Sequence, residues 1–246
     1  MRTLTIMTWN VLYKEKADNI LELTGKINPD ILCCQEITKN SFVNPKRDIP
    51  EEISRVLGGE YRYQSVANTL EGQPSDMGNA IFSKLPIVTD TNLLVQTTTS
   101  DIDWSYQNRG YVQAEIRIGQ KILTVGTTHL SYVDYFVETD ARNREADKLI
   151  EAIKKKKEHY ILTGDFNSAP DSKTIKRIEK ILRSAGPPHT QNTFSTKFFK
   201  HNDFVVDSLD WRLDYIFTSP DIKVLSSKII KTDYSDHLPV LAELQL

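Results

Sequence analysis

The feature that most constrains this chain is the recurrence of short, apolar, β-branched runs along nearly its whole length. Ten such runs have the length of strands, and they cover residues 4–11, 31–37, 61–66, 80–83, 111–118, 121–130, 160–163, 213–218, 223–230 and 239–244. Four other segments have a helical pattern, and they cover residues 17–26, 50–57, 138–157 and 172–182. Many strands with tight turns and few helices predict an α/β fold of mixed, mostly antiparallel sheets flanked by helices.

Length and composition restrict the classes of protein to which the chain can belong. Its 246 residues contain no linker rich in proline, glycine or serine, so we expect a single domain over residues 1–246. The net charge of -2 argues against tight, sequence-independent binding to duplex DNA but leaves room for a local basic groove. We find no pattern of a signal peptide or a membrane span, and nothing indicates a protein partner.

The two cysteines, Cys33 and Cys34, are neighbours in a predicted strand. Successive side chains of a strand point to opposite faces, so these two thiols are poorly placed to form a disulfide with each other. We therefore expect two reduced, buried thiols, which is typical of a cytoplasmic protein.

Polar residues of metal-ligand or acid–base type lie at the ends of many of the predicted strands. A carboxylate at the mouth of a buried strand is costly unless a cation or a hydrogen-bond donor satisfies it. Each residue alone could belong to a turn, a helix cap or the core, but independent turns would not all use these residue types. The set consists of Asn10, Glu36, His129, Asp165, Asn167, Asp214, Asp236 and His237.

One half of this set has the chemistry of a site for a hard divalent cation. Glu36 and Asn10 supply a carboxylate and an amide oxygen for Mg2+, with Mn2+ as an alternative, and Asp236 could add a second carboxylate. Asp165 can orient or deprotonate a water molecule for in-line attack on phosphorus. These residues predict metal-assisted hydrolysis of a phosphate ester.

The other residues of this set can stabilise the negative charge that develops on the phosphate oxygens during the reaction. Asn167 can hold a phosphate oxygen or the attacking water. His129 and His237 can donate hydrogen bonds to the non-bridging oxygens, where negative charge grows in the transition state. A buried Asp214, hydrogen-bonded to the far nitrogen of His237, would keep that ring in the required protonation state.

Seven motifs spread from residue 8 to residue 237 resemble those of the endonuclease/exonuclease/phosphatase superfamily. They are Thr8-Trp9-Asn10, Gln35-Glu36, Gly78-Asn79-Ala80-Ile81-Phe82-Ser83, Thr128-His129-Leu130, Gly164-Asp165-Phe166-Asn167, Leu213-Asp214-Tyr215-Ile216-Phe217 and Ser235-Asp236-His237. The resemblance implies a four-layer sandwich of two sheets between helices, with the site at one edge. It also implies a divalent-metal phosphodiesterase or phosphatase in which Glu36 is the principal metal ligand.

The same resemblance implies roles for three residues outside the strand-end set. Asn79 would brace the loop on the metal side, and Arg109 stands where relatives place an arginine that contacts phosphate. Arg142, on the helix after His129, fills a position often held by a structural or substrate-binding arginine. An alternative for Arg142 is a salt bridge on the helix surface with Glu145 or Glu138.

Departures from the motif pattern bear on the branch of the superfamily. Leu12 stands where abasic-site endonucleases have an acid, and His129 stands where they have a tyrosine. Trp211-Arg212-Leu213-Asp214 differs from the tryptophan-cysteine-aspartate-arginine signature of inositol phosphatases. The motifs are most similar to those of the deadenylase-like and general bacterial hydrolase branches.

Three segments rich in aromatic residues could lie near the site, and the last of them also carries Lys197, Lys200 and His201. They are residues 96–109, which include Trp104 and Tyr106, residues 131–136, and residues 194–204. Such side chains could stack on the bases of a single strand, or they could serve packing alone.

We therefore expect a Mg-dependent nuclease that acts on DNA, RNA or a nucleotide. The alternatives are a phosphatase or phospholipase C-like hydrolase of a small or lipid phosphoester, and an inactive binding module.

Overall fold

The computed structural model describes residues 2–98, 107–156 and 158–246. These residues form two six-stranded mixed sheets and a two-stranded hairpin. The strands are β1 (Thr3–Asn10), β2 (Ile31–Lys39), β3 (Glu60–Leu70), β4 (Gln73–Ser83), β5 (Ile87–Gln96), β6 (Arg109–Ile118), β7 (Lys121–His129), β8 (Tyr160–Asp165), β9 (Arg183–Ser184), β10 (Phe199–His201), β11 (Phe204–Val206), β12 (Asp214–Thr218), β13 (Lys223–Ile229) and β14 (Val240–Gln245). The helices are α1 (Ala17–Ile27), α2 (Ile49–Leu57), α3 (Asp140–Ile153) and α4 (Lys173–Glu179). The expected α/β sandwich is confirmed.

All ten predicted strands and all four predicted helices are present, with shifted ends. The prediction missed β5 because this strand lies at the edge of its sheet and most of its residues are exposed, so it lacks an apolar pattern. The helix predicted over residues 138–157 was too long, because α3 ends at Ile153 and Lys154 and Lys155 form a turn. Lys157 lies outside the described residues.

The topology brings the strand-end residues to one edge of the sandwich. The first sheet has the order β13-β14-β1-β2-β4-β3, and the second has the order β5-β6-β7-β8-β12-β9. In each sheet one central pair is parallel, β1 with β2 and β7 with β8. The register places Asn10 beside Gln35 in the first sheet and His129 beside Asp165 in the second. Each parallel pair of strands therefore ends with two polar residues side by side.

Three apolar layers hold the sandwich together. The layer between the sheets includes Ile6, Ile31 and Cys33, whereas Cys34 packs with helices α1 and α2 on the outer face of the first sheet. A third layer covers the outer face of the second sheet beneath α3 and α4. Cys33 and Cys34 are both buried and unpaired, as expected from their alternation along β2. None of the helices in the described part of the chain is long and apolar enough to cross a membrane.

Candidate active site

Glu36 leaves the regular path of strand β2 at a bulge. The register between β2 and β4 shifts between Cys34 and Ile37, and Glu36 adopts a left-handed backbone conformation with φ +56°. Such bulges redirect a side chain, and this conformation is unfavourable for a residue other than glycine. The half-buried Glu36 carboxylate accepts hydrogen bonds from Asn10 Nδ2 at 3.1 Å and from Tyr13 N at 3.2 Å.

The environment of Glu36 and Asp236 fits a divalent cation. Burial and the negative charge of Asp236 raise the pKa of Glu36. Among the described residues, no lysine, arginine or histidine forms a salt bridge with either carboxylate. Both side chains are half-buried, so solvent reaches this side of the site. Two neighbouring carboxylates that repel each other at an accessible edge are suitable oxygen ligands for Mg2+ or Mn2+.

Asp165 lies at the centre of the buried half of the site. Its Oδ1 accepts a hydrogen bond from Asn167 N at 2.8 Å, and its Oδ2 accepts one from Asn10 Nδ2 at 3.1 Å. The Nε2 atoms of His129 and His237 each lie 3.5 Å from the same Oδ2. Burial raises the pKa of Asp165 to about 7, although the charge of His237 and the hydrogen bonds act in the opposite direction. Asp165 can therefore exchange a proton near neutral pH.

The backbone around Asp165 depends on Gly164. This glycine has φ +143°, and a Cβ at this position would lie 2.0 Å from the carbonyl oxygen of Thr128 on the neighbouring strand. Only glycine allows so close an approach of two backbones. The close contact of β7 and β8 sets the positions of Asp165 and His129, which follow Gly164 and Thr128.

His237 is held by a carboxylate on each side of its ring. Its Nδ1 lies 2.9 Å from Asp214 Oδ2, at the distance of a hydrogen bond, while its Nε2 faces Asp165. Burial lowers the pKa of His237, but the charges of Asp214 and Asp165 outweigh it and hold the pKa well above its usual range. The imidazole is therefore cationic at neutral pH.

His129 has the opposite protonation state. Burial and the positive charge of Arg109 hold its pKa well below the usual range, so the ring is neutral. Asn167 Nδ2 donates hydrogen bonds to His129 Nε2 at 3.1 Å and to the carbonyl oxygen of Leu130 at 2.9 Å. One cationic and one neutral imidazole thus flank the Asp165 carboxylate.

Asp165, Asp214 and His237 also have ligand atoms within 4.8 Å of one another, so this group could itself bind a metal ion. Both ring nitrogens of His237, however, are directed at carboxylates that favour its protonated form. Metal ligation requires a neutral imidazole. The pair of Glu36 and Asp236 is therefore the better candidate metal site.

Asn79 and Arg109 are brought together at the start of strand β6. Asn79, on β4, donates a hydrogen bond across the sandwich from Nδ2 to the carbonyl oxygen of Gly110 at 3.0 Å. Arg109 is buried, and its charge acts on Glu145, Glu36 and Asp165. Asn79 thus braces the strand that carries Arg109, and Arg109 supplies positive charge to the site.

Arg142 is 1% exposed, and its contacts are all within the protein fold. Its Nη1 donates hydrogen bonds to the carbonyl oxygens of Asn167 at 2.6 Å and Phe166 at 3.3 Å, and to Ser168 Oγ at 2.7 Å. Its Nη2 donates to the carbonyl oxygen of Ser131. The guanidinium therefore ties α3 to the loops that follow Asp165 and His129.

The expected surface salt bridge of Arg142 is buried instead. Arg142 Nε lies 3.4 Å from Glu145 Oε2, and both side chains are almost completely inaccessible to solvent. Glu145 in turn accepts hydrogen bonds from the backbone and side chain of Ser131. Glu138, the other partner considered, accepts hydrogen bonds from the backbone of Lys173.

Sequence reasoning did not assign a role to three residues that support the site. Ser235 Oγ donates to the carbonyl oxygen of Asn10 at 2.7 Å and accepts from His237 N at 3.0 Å. Gln35 Nε2 donates to Thr127 Oγ1 at 2.8 Å, which links the two sheets beneath Glu36. Both residues belong to the motifs quoted above, and that membership is the signal that could have identified them. The backbone contact of Tyr13 with Glu36 has no such signal. Trp104 and Tyr106 lie outside the described residues.

Comparison with known proteins places this geometry in a family. A sequence model of the endonuclease/exonuclease/phosphatase family matches residues 7–237. The chain belongs to this family. This family is a hydrolase superfamily whose members act on phosphoesters. No curated protein sequence matches the chain.

Solved structures of this family share the fold at low sequence identity. The endonuclease/exonuclease/phosphatase from Beutenbergia cavernae is 19% identical, with a TM-score of 0.77 over 100% of this chain and 72% of that one. The human Nocturnin catalytic domain with a bound sulfate anion is 21% identical, with a TM-score of 0.71 over 99% and 94%. The mannosyl-6-phosphatase of Bacteroides thetaiotaomicron is 19% identical, with a TM-score of 0.68 over 99% and 100%.

Proposed function

We propose that this protein is a divalent-metal-dependent phosphodiesterase that hydrolyses nucleic acid by in-line attack of water on phosphorus. The observation that carries the proposal is the environment of Asp165 Oδ2. This atom accepts a hydrogen bond from Asn10 and lies 3.5 Å from the Nε2 atoms of His129 and His237. A carboxylate held in this way can orient a water molecule and accept its proton.

The two histidines and Asn167 would form the wall that contacts the reacting phosphate. His237, kept cationic by Asp214 and Asp165, would donate to the non-bridging oxygens as their negative charge grows. Neutral His129 and the Asn167 amide beside it would line the same wall. Arg109 would add a buried positive charge that favours binding of the phosphate.

Glu36 and Asp236 would hold the divalent cation, Mg2+ or Mn2+, on the solvent side of the site. When bound, the cation neutralises charge on the phosphate and on the leaving oxygen. Asn10 Nδ2 donates to both Glu36 and Asp165, and Asn10 Oδ1 accepts from Leu12 N. We therefore assign Asn10 to the metal side of the site, where its amide bridges the carboxylates of Glu36 and Asp165.

The hairpin next to His237 supports a substrate that contains nucleotides. The segment that leads into it contacts the site, because the ring centroid of Phe194 lies 4.7 Å from that of His237, and Phe198 and Lys200 further along are exposed. Exposed aromatic and basic side chains of this kind are used by proteins that bind single-stranded nucleic acid. The buried, unpaired thiols of Cys33 and Cys34 support a reducing compartment, and we propose the cytoplasm.

The test is hydrolysis of single-stranded DNA, poly(A) RNA, plasmid DNA, sphingomyelin and inositol phosphates in the presence of Mg2+ or Mn2+. We expect turnover of a nucleic acid that EDTA abolishes and added Mg2+ or Mn2+ restores. Asp165→Ala and Glu36→Ala should each reduce the rate by at least about a hundredfold. The control variant Asp147→Ala, which removes an exposed carboxylate from α3, should keep the wild-type rate.

Two results would contradict the proposal. Wild-type rates for the Asp165→Ala and Glu36→Ala variants would show that the assigned site is wrong. Turnover of the lipid or the inositol phosphates alone would refute nucleic acid as the substrate and favour a phospholipase C-like enzyme or a phosphatase.

A further inference from the structure

Two loops that are far apart in the sequence form the metal side of the candidate site. The first loop, residues 11–16, follows strand β1 and holds the Glu36 carboxylate through the hydrogen bond from Tyr13 N. The second loop, residues 230–239, connects β13 with β14 and carries Asp236. The separation of the two carboxylates therefore depends on how these two loops are joined.

The side chain of Lys197 joins the two loops. Its Nζ donates a hydrogen bond to Glu15 Oε2 in the first loop at 3.0 Å and another to the carbonyl oxygen of Tyr234 in the second loop at 2.9 Å. The Glu15 side chain is only 11% exposed, so solvent screens this ion pair less than a pair on the open surface. Tyr234 lies two residues before Asp236, so one ammonium group connects the chain on both sides of the metal ligands.

The backbone around Lys197 is attached directly to the second loop. Thr196 N donates to the carbonyl oxygen of Asp236 at 3.0 Å. Ser195 Oγ donates to the carbonyl oxygen of Lys197 at 2.6 Å and so orders the residue from which the side chain extends. Because this segment is fixed to Asp236, the bond from Lys197 to Glu15 sets the position of the first loop relative to Asp236.

The first loop faces both metal-side carboxylates. Burial and the hydrogen bond to Glu71 raise the pKa of Tyr13, and the negative charges of Glu36 and Asp236 raise that pKa further, so both acids lie within electrostatic range of this residue. A shift of the loop would move Tyr13 N away from Glu36 Oε2, which it holds at 3.2 Å. Mg2+ demands nearly ideal placement of its oxygen ligands, so such a shift should weaken the binding of the cation.

Charge and position give Lys197 opposite effects on a bound cation. A positive charge near the site repels Mg2+ or Mn2+, so the loss of the ammonium group would strengthen metal binding if charge alone mattered. If Lys197 instead holds the two loops at the correct separation, its loss weakens metal binding. The sign of the change in metal affinity therefore distinguishes the two roles in one measurement.

We propose that Lys197 is a positioning residue of the candidate metal site. By binding Glu15 and the carbonyl oxygen of Tyr234 together, its ammonium group fixes the separation of the Glu36 and Asp236 carboxylates. This inference rests on the proposed function, in which these two carboxylates hold the divalent cation.

The test is the affinity of the folded protein for Mn2+, measured by electron paramagnetic resonance of the free ion. Lys197→Met keeps the apolar stem and should weaken binding about 10-fold, the lower end of the range for residues that orient metal ligands. Lys197→Arg keeps the charge and the donors and should restore the affinity. The control Lys156→Met breaks an ion pair with Glu115, six residues along β6 from Arg109 and so about 20 Å from the site, and should leave the affinity unchanged.

Glu15→Gln tests the same contact from the first loop. It weakens the bond to Lys197 by removing the negative charge, so it should also lower the affinity for Mn2+. Lys197→Met should then cost less in the Glu15→Gln protein than in the wild type, because the two side chains act through one contact. On bis(p-nitrophenyl) phosphate, Lys197→Met should need more Mn2+ for its half-maximal rate and should reach the wild-type kcat at saturating Mn2+ with an unchanged KM.

Three results would overturn the inference alone. They are an affinity for Mn2+ in Lys197→Met that equals or exceeds that of the wild type, a lower melting temperature of this variant without a change in affinity, and an equal loss of affinity in Lys156→Met. Failure of the wild type to bind Mn2+, or an unchanged affinity in Glu36→Ala, would instead refute the metal site of the proposed function.

Discussion

Replacing Arg142 by methionine tests how the loops that carry the candidate catalytic residues are held together. The substitution keeps the length and the apolar stem of the side chain on α3 and removes the guanidinium. That group donates to the carbonyl oxygens of Ser131, Phe166 and Asn167 and faces Glu145. Methionine leaves these carbonyl oxygens buried without their donor and removes the nearest positive charge from the Glu145 carboxylate.

The expected loss of stability is large because the ion pair is fully buried. Removing one partner of a buried pair costs about 3–5 kcal/mol, because the other charge loses its nearest counter-ion. Among the described residues, Glu145 keeps only the hydrogen bonds of Ser131 and the charge of Arg109. For a chain of this size, each kcal/mol lowers the melting temperature by about 2–4 °C, so Arg142→Met should melt about 6–20 °C below the wild type.

The assay is urea unfolding of a double-mutant cycle with Arg142→Met and Glu145→Gln. The second substitution removes the charge that has lost its nearest counter-ion, so we expect it to cost less in the Arg142→Met protein than in the wild type. The coupling should be at least about 1.5 kcal/mol, within the range for residues in contact. The exposed pair of Arg177 and Asp147 is the matched control, and its coupling should be below about 1 kcal/mol.

Kinetics separate a structural arginine from one that contacts substrate. If Arg142 positions Asn167, Arg142→Met should reduce kcat with little change in KM. An unchanged urea midpoint together with a raised KM would refute the structural interpretation and would show that Arg142 contacts the substrate.

Three further predictions concern the backbone, the cation and pH. Gly164→Ala should destabilise the protein by more than about 2 kcal/mol, because its Cβ would collide with the carbonyl oxygen of Thr128, whereas Gly119→Ala has open space and should cost about 1 kcal/mol; equal urea midpoints would contradict this. Mg2+ should raise the melting temperature of the wild type but not of Glu36→Ala, and equal shifts in scanning fluorimetry would argue against this metal site. The lowered pKa of Asp134 adds stability that is complete above the unfolded value of 3.8 and is lost as pH falls through the folded value. Asp134→Asn should therefore flatten the acid side of the stability curve measured by urea unfolding, and parallel curves for variant and wild type would refute this.

The strand-end residues could be predicted because burial leaves few places for polar groups. Glu36 and Asp165 each follow a run of buried side chains, and a carboxylate in that position needs a partner. The order of the motifs then indicated the family, and the family implied the sandwich. The match to the family over residues 7–237 confirms that step.

Strands without a regular pattern of apolar residues could not be predicted from the sequence. Strand β5 is largely exposed at the edge of its sheet, and the hairpin of β10 and β11 has only three residues in each strand. The sequence left open whether Arg142 is structural or contacts substrate, because the carbonyl oxygens that it binds carry no side-chain signature. The sequence could not distinguish the buried rings of Phe194 and Phe204 from the exposed ring of Phe198, since all three are phenylalanines of one segment.

The sequence by itself determined the fold class, the family and the set of residue types available for phosphoester chemistry. Strand periodicity is a local property of each segment, and the order of the motifs can be read along the chain without its three-dimensional structure. Only the tertiary structure decided which of those residues meet. The parallel pairs β1–β2 and β7–β8 end at one edge, where Asn10 reaches Asp165 across the two sheets. It also decided the charge of each imidazole, because protonation depends on neighbours from distant segments: His237 lies between Asp214 and Asp165, whereas His129 lies near Arg109.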